Sequence, residues 1–248
     1  QLGTEVNGLY PLTWSKGDKI SVNGVESGEA IIDSSNPANA SFVVSGTAPY
    51  CIAYPAAAEG QVLFAAEQEH VGDTTFGSGV STMYGYSESG VGAQLHHLTG
   101  VLKFGVVGRG VLTHAQISTV DRAPIAGAFA IDFTTGEITP TKDSKEVISY
   151  VFPADPADGN NGLVLSDTPQ YLHIAVPAGE YDELYVTLYD EEGGVMYATV
   201  KADDTKPLNA GKIRLFTKSI EYAPNERGFV VKGYESLKQF AQEIGKLT

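Results

Sequence analysis

The chain of 248 residues is long enough for one large β domain or two smaller ones, and too short for a protein of many domains. Hydrophobic residues make up 42% of the chain and charged residues 19%, so it can bury a core and lacks the composition of a disordered protein. Its formal net charge of -14 repels phosphate backbones and anionic headgroups, which argues against nucleic acid as a partner.

The first part of the sequence predicts short β-strands. Apolar and polar residues alternate over residues 20–25 and 40–44, a pattern typical of half-buried strands, and residues 50–54 predict a further strand. Residues 56–92 are rich in Gly, Ser and Glu, with weaker strand patterns near residues 62–64 and 82–86. We expect this stretch to be the least ordered third of the chain.

Strand patterns become sharper after Gly92. Residues 101–107 place Leu102, Phe104 and Val106 on one face of a strand. Residues 183–200 predict a β-hairpin, because two strand patterns flank a loop that contains two glycines. Further strands are predicted at residues 114–120, 128–133, 147–152, 171–176 and 211–216. About seven or eight strands in roughly 130 residues is the spacing of a β-sandwich.

The tail after residue 224 has a different period. Apolar residues recur there at helical spacing, namely Leu237, Phe240, Ala241, Ile244 and Leu247. We predict a short amphipathic helix, which either packs on the preceding domain or begins another module.

The usual catalytic patterns are incomplete. Residues 85–89 lack the final glycine of a nucleophile elbow, and a Thr stands at position 113 where a dinucleotide loop that starts at Gly108 needs its third glycine. The single cysteine, Cys51, lies in a predicted strand and is interpreted as a buried structural thiol. We therefore predict a non-enzymatic protein and assign no catalytic or cofactor-binding residue.

Metal-ligand patterns are incomplete as well. His96 and His97 are adjacent, so on a strand they point to opposite faces and cannot easily share an ion. His70, His114 and His173 stand alone and are interpreted as packed histidines. Residues 155–160 offer oxygen ligands but lack the glutamate that completes an EF-hand loop. We assign no metal ligand.

Two functional alternatives stay open at this point. Thirty acidic residues leave room for the carboxylate pair of a glycoside hydrolase, although no pair stands out. Four tyrosines on predicted strands suit either strand packing or an aromatic platform for carbohydrate, namely Tyr171, Tyr185, Tyr189 and Tyr197.

Residues 14–22 match the pattern W-x-x-G-D-x-I-x-V. This pattern resembles the start of the fimbrillin-like surface proteins of Bacteroidetes, a family whose other motifs follow here in the same order. Residues 40–42 resemble its second strand, Tyr54 and Pro55 its Y-P element, and residues 97–104 its mid-chain strand. Residues 117–127 and 209–212 extend the likeness to most of the chain.

The resemblance implies a fold and a role. Fimbrillin-like proteins have two tandem transthyretin-like β-sandwich domains, which here correspond to residues 1–92 and 93–222, followed by a tail of residues 223–248 with the predicted helix. They are pilus subunits and adhesins, exported as lipoproteins to the outer-membrane surface, and some polymerise by strand donation. The expected partners are other pilus subunits or surface ligands, including glycans. The alternative is a surface carbohydrate-binding lipoprotein.

Overall fold

The computed structural model describes residues 12–90, 92–154, 159–224 and 226–227. All regular secondary structure in these ranges is β-strand, which confirms the all-β class. The strands before Gly92 are β1 (Ser21–Val22), β2 (Val25–Glu26), β3 (Ile31–Ile32), β4 (Ala40–Ser41), β5 (Tyr50–Tyr54), β6 (Gln61–Phe64), β7 (Glu67–Glu69) and β8 (Met83–Ser87). Those after it are β9 (His96–His97), β10 (Thr99–Gly108), β11 (Val111–Thr119), β12 (Ala126–Ile131), β13 (Ile138–Lys145), β14 (Val147–Val151), β15 (Leu163–Val164), β16 (Gln170–Pro177), β17 (Glu183–Asp190), β18 (Gly194–Lys201), β19 (Ile213–Tyr222) and β20 (Glu226–Arg227).

Two predicted features lie outside the described residues. These are the helix of the tail beyond residue 227 and most of the oxygen-rich loop at residues 155–160. Within the described part of the chain, no helix is long and apolar enough to cross a lipid bilayer.

A continuous apolar core joins two sheets in the second half of the chain. One sheet has the strand order β16-β10-β19, and the other has the order β20-β18-β17-β11-β14-β7. Leu102, Phe104 and Val106 are fully buried in this core, so the predicted apolar face of β10 is confirmed. Ile117 and Val186 reach the same core from the opposite sheet. Burial of apolar surface between these two layers stabilises this part of the protein.

A second pair of sheets forms around the N-terminal strands. The five-stranded sheet β2-β1-β5-β8-β9 lies against the three-stranded sheet β13-β12-β6. Their shared cluster is small, and it contains Ala53 of the first sheet together with Val62, Phe64 and Phe129 of the second. The other face of the five-stranded sheet is therefore covered by a different set of residues.

Strands from residues 56–92 complete sheets that are built mainly from later residues. β6 pairs with β12, and β7 pairs in parallel with β14. The side chain of Gln68 holds β7 against β16. Its Nε2 atom donates to the carbonyl of Ala175 (2.7 Å), and its Oε1 atom accepts from the Ala175 amide (2.9 Å). The strands predicted near residues 62–64 and 82–86 are confirmed as β6 and β8, whereas β7 was not predicted from the sequence. Strand pairing also crosses the predicted domain boundary at residues 92 and 93, and that boundary stays a prediction.

Candidate functional site

One face of the five-stranded sheet forms the floor of a groove, which we call the N-terminal groove. Ladder partners share a face of a sheet, so Val22 lies beside Ile52, and Tyr54 lies beside Met83. Val22 and Tyr54 are buried, whereas Ile52 and Met83 are only half-buried. The floor is an apolar sheet face that its second layer covers only in part.

The opposite wall of the groove consists of Trp14, Phe42 and Val44, all half-buried. The Trp14 ring meets two other rings edge to face, with centroid distances of 4.9 Å to Phe42 and 5.0 Å to Tyr54. The ladder between β3 and β4 is only two residue pairs long, so it closes little of the space. The cavity that remains has a volume of about 820 Å³. This is within the range of cavities that hold ligands.

At one end of the groove, the Tyr54 hydroxyl links β5 by hydrogen bonds to the segments that contain Asp18 and Gly79. It donates to Asp18 Oδ1 (2.9 Å) and accepts from the Gly79 amide (3.1 Å). Asp18 Oδ2 in turn accepts from the Ser15 amide (2.7 Å), and Gly17 takes the positive φ of 90° that this turn requires. Burial, followed by the nearby Asp18 charge, raises the pKa of Tyr54 well above its ordinary value. The turn that contains Gly17 therefore anchors one end of the groove.

The chemistry of the lining suits binding of an apolar segment. Asp18 is the only carboxylate among the described residues that line the groove, and Tyr54 and Ser15 both hydrogen-bond to it. His97 also reaches the groove, where its Nδ1 lies 3.5 Å from Ser81 Oγ. Burial, and to a smaller degree the charge of His96, lowers its pKa. The groove therefore offers no pair of carboxylates for acid-base hydrolysis of a glycoside.

Two other residues considered as metal or thiol sites, His96 and Cys51, do not line the groove. His96 packs against the Tyr84 ring with a centroid distance of 5.6 Å, on the face of the sheet opposite to His97. Cys51 is half-buried in β5, and burial raises the pKa of its thiol. The described residues contain no cluster of three or more His, Cys, Asp or Glu side chains that could hold a metal ion.

The four tyrosines divide into two groups. Tyr185, Tyr189 and Tyr197 lie on the solvent-facing side of the sheet that contains β17 and β18. Tyr171 lies on β16 of the other sheet, where the Lys103 ammonium is 4.5 Å from its ring centroid. The structure therefore brings three of the four residues together.

Comparison with known proteins shows a likeness in structure but none in sequence family. No protein-family model matches the chain, and no curated protein matches it. A crystal structure of a candidate cell adhesion protein from Bacteroides fragilis is similar, with a TM-score of 0.41 and 12% sequence identity. The match covers 88% of this chain and 86% of that chain.

The sequence did not predict that these residues form a groove. The sequence pattern over residues 40–44 and 50–54 indicated two strands, which correspond to the two-residue β4 (Ala40–Ser41) and to β5 (Tyr50–Tyr54). It could not show that the two apolar faces would stand apart with a cavity between them, because that spacing depends on contacts across the fold. The only feature of the sequence that pointed to the groove is the concentration of large apolar residues in very short strands.

Proposed function

We propose that the protein is a non-enzymatic, cell-surface adhesin or fimbrial subunit of a Bacteroidetes-type bacterium. In this proposal, the N-terminal groove accepts a β-strand from a second copy of the chain. The chain would have two tandem transthyretin-like β-sandwich domains, over residues 1–92 and 93–222, and would be displayed at the outer-membrane surface. The order of the family-like motifs supports this assignment, and the groove supports the mode of assembly.

The observation that carries the proposal is the incomplete cover of an apolar sheet face. Trp14, Phe42, Ile52 and Met83 are large apolar residues that line one cavity, and each is only half-buried. Apolar surface that is grouped in a groove marks an interaction site more often than isolated apolar residues do. An extended segment with alternating apolar side chains would remove this surface from water.

The edge of β8 provides a place for main-chain hydrogen bonds to such a strand. β9 pairs with β8 only at Met83 and Tyr84. Among the described strands, residues 85–87 have no ladder partner on that side, and Ser87 lines the groove. An edge with free backbone groups is a template for an added strand. The incoming strand would thus form main-chain hydrogen bonds with β8 and pack its side chains against the apolar residues of the groove.

The test is the oligomeric state of the chain before and after protease removal of the residues that precede Leu12. Leu12 lines the groove, so this cut falls next to a residue of the groove wall. Val44→Lys places a charge in the groove, whereas Val43→Lys on the same segment is the matched control, since Val43 is 72% exposed. Circular dichroism checks that each variant is folded.

We expect the cleaved protein and its Val43→Lys variant to form oligomers in light-scattering measurements, and the Val44→Lys variant to remain monomeric. The charge would have to enter an apolar interface without a partner, which is costly. If the cleaved protein remains monomeric up to the solubility limit, or if Val44→Lys assembles as the control does, the assembly proposal is wrong.

The alternative function, a surface carbohydrate-binding lipoprotein, has an observation of its own in its favour. Tyr185, Tyr189 and Tyr197 lie on one solvent-facing side of a sheet, and none of them lines the groove.

A further inference from the structure

The solvent-facing side of β11, β17 and β18 carries an ordered group of aromatic and neutral polar side chains, which we call the tyrosine face. The group consists of His114, Gln116, Tyr185, Thr187, Tyr189, Tyr197 and Thr199, and the same side of these strands also carries Ser118, Val195 and the ion pair between Glu183 and Lys201. Strand register places these residues on one side, because Gln116 pairs with Thr187 and Thr187 pairs with Tyr197. The alternate residues of β17, Leu184, Val186 and Leu188, are buried in the core on the other side.

The three tyrosines form a zigzag along the two strands. Tyr185 and Tyr189 are four residues apart on β17, and Tyr197 on β18 lies opposite Thr187, midway between them. Diagonal neighbours on adjacent strands are roughly 7–8 Å apart, and four residues of strand span about 14 Å. Tyr185 is 45% exposed and Tyr197 is 55% exposed. A linear ligand lying along β17 could therefore contact all three rings.

Hydrogen bonds and ring stacking hold one end of the face in place. The rings of His114 and Tyr189 are stacked, with a centroid distance of 4.0 Å and an angle of 7° between their planes. The Tyr189 hydroxyl also donates to Gln116 Oε1 (3.4 Å). These contacts reduce the number of side-chain rotamers that a ligand would have to fix on binding.

The charges on this side of the sheet favour an uncharged ligand. Glu67 and Glu69 on β7 lie on the same side of the sheet. They pair with Ser149 and Val151 of β14, which in turn pair with Gln116 and His114 of β11. In the described strands β7, β11, β14, β17 and β18, the only Lys or Arg is Lys201, whose ammonium lies 3.3 Å from a Glu183 carboxylate oxygen. Sulfated or sialylated ligands would meet net negative charge there.

We propose that the tyrosine face binds a neutral glycan chain. The exposed rings of Tyr185 and Tyr197 stack on the apolar faces of the sugar rings, and Gln116 and Thr187 hydrogen-bond to sugar hydroxyls. Aromatic rings interleaved with amide and hydroxyl groups match the alternation of apolar faces and hydroxyl groups that a pyranose presents.

The test uses the full chain on an array of neutral, sialylated and sulfated glycans, followed by calorimetry with the best neutral oligosaccharide. We expect Tyr185→Ala and Tyr197→Ala each to weaken binding by about tenfold, and Tyr197→Phe by less than about threefold, since Phe keeps the ring. Tyr171→Ala is the matched control on the other sheet and should leave affinity unchanged. Circular dichroism confirms that each variant is folded.

The proposal is overturned if no neutral glycan binds, if sulfated or sialylated glycans bind best, or if Tyr197→Ala binds as the unmodified protein does. It is equally overturned if the face binds only a protein partner. Val44→Lys separates this site from the N-terminal groove, because it should abolish assembly and leave glycan binding intact.

Discussion

Acid should destabilise the protein through His173. This residue lies on β16 directly opposite Lys103 on β10, and it is only 2% exposed. Burial lowers its pKa to about 4, and the charges of Lys103 and His70 act in the same direction. The Nδ1 atom of His173 has no hydrogen-bond partner among the described residues. A proton on this ring would therefore be poorly stabilised in the folded state.

The sign and size of the effect follow from the two pKa values. In the unfolded chain His173 takes up a proton below its ordinary pKa of 6.5, whereas in the folded protein it does so only near pH 4. Between these values the unfolded state binds more protons, so stability falls as the pH is lowered. The expected loss in the free energy of unfolding between pH 7 and pH 5 is about 2 kcal/mol.

Urea denaturation at pH 7 and pH 5 measures this loss. His173→Leu removes the titrating group, so its stability should fall by about 2 kcal/mol less than that of the unmodified protein over the same interval. Part of the pH dependence will remain, because burial also lowers the pKa of His70. His96→Gln, at an exposed position, is the control and should behave as the unmodified protein. Equal losses in His173→Leu and the unmodified protein would refute the reasoning.

Three further predictions concern stability, and each is checked by urea denaturation at pH 7. Tyr54→Phe removes the hydroxyl that joins Asp18 to the end of the groove, and should cost about 1–3 kcal/mol; no change would mean that these hydrogen bonds do not anchor it. Phe216→Ala leaves a cavity in the main core and should cost about 3–5 kcal/mol, so a loss below about 1 kcal/mol would contradict the packing described. Gly127→Ala should cost more than about 1 kcal/mol, because Gly127 has a φ of 82° and a methyl group there would meet the backbone of Asp143; a neutral substitution would argue against this local register.

Strands whose alternation matches their burial could be predicted from the sequence. The strand predicted at residues 101–107 is β10, and the hairpin predicted over residues 183–200 is formed by β17 and β18. In both cases the apolar residues that alternate in the sequence face the main core. Hydrophobic periodicity is a reliable signal where one face is buried and the other is not.

Strands held by polar contacts could not be predicted in this way. β7 has the sequence Glu-Gln-Glu and pairs because Gln68 hydrogen-bonds to the backbone of Ala175, more than one hundred residues later. β13 is almost entirely polar and pairs with β12 alone. Such strands carry no periodic apolar signal, because their side chains are mainly polar and their stability depends on the final fold.

Prediction from local sequence has the same limit for the candidate sites. The W-x-x-G-D motif marked Trp14 only as part of a family-like segment, whereas the structure places it in the wall of a cavity. The tyrosines were recognised as residue types, but only strand register shows that Tyr171 lies apart from Tyr185 and Tyr197. Register between distant strands sets which side chains meet, and no local pattern encodes it.

The most direct test of the assembly proposal is an electron cryo-microscopy or crystal structure of the oligomer formed after cleavage before Leu12. The account predicts a β-strand of a second copy in the N-terminal groove, with alternate side chains between Phe42 and Ile52 and main-chain hydrogen bonds to residues 85–87 of β8. An oligomer whose subunits meet through other surfaces, with the groove still empty, would contradict it.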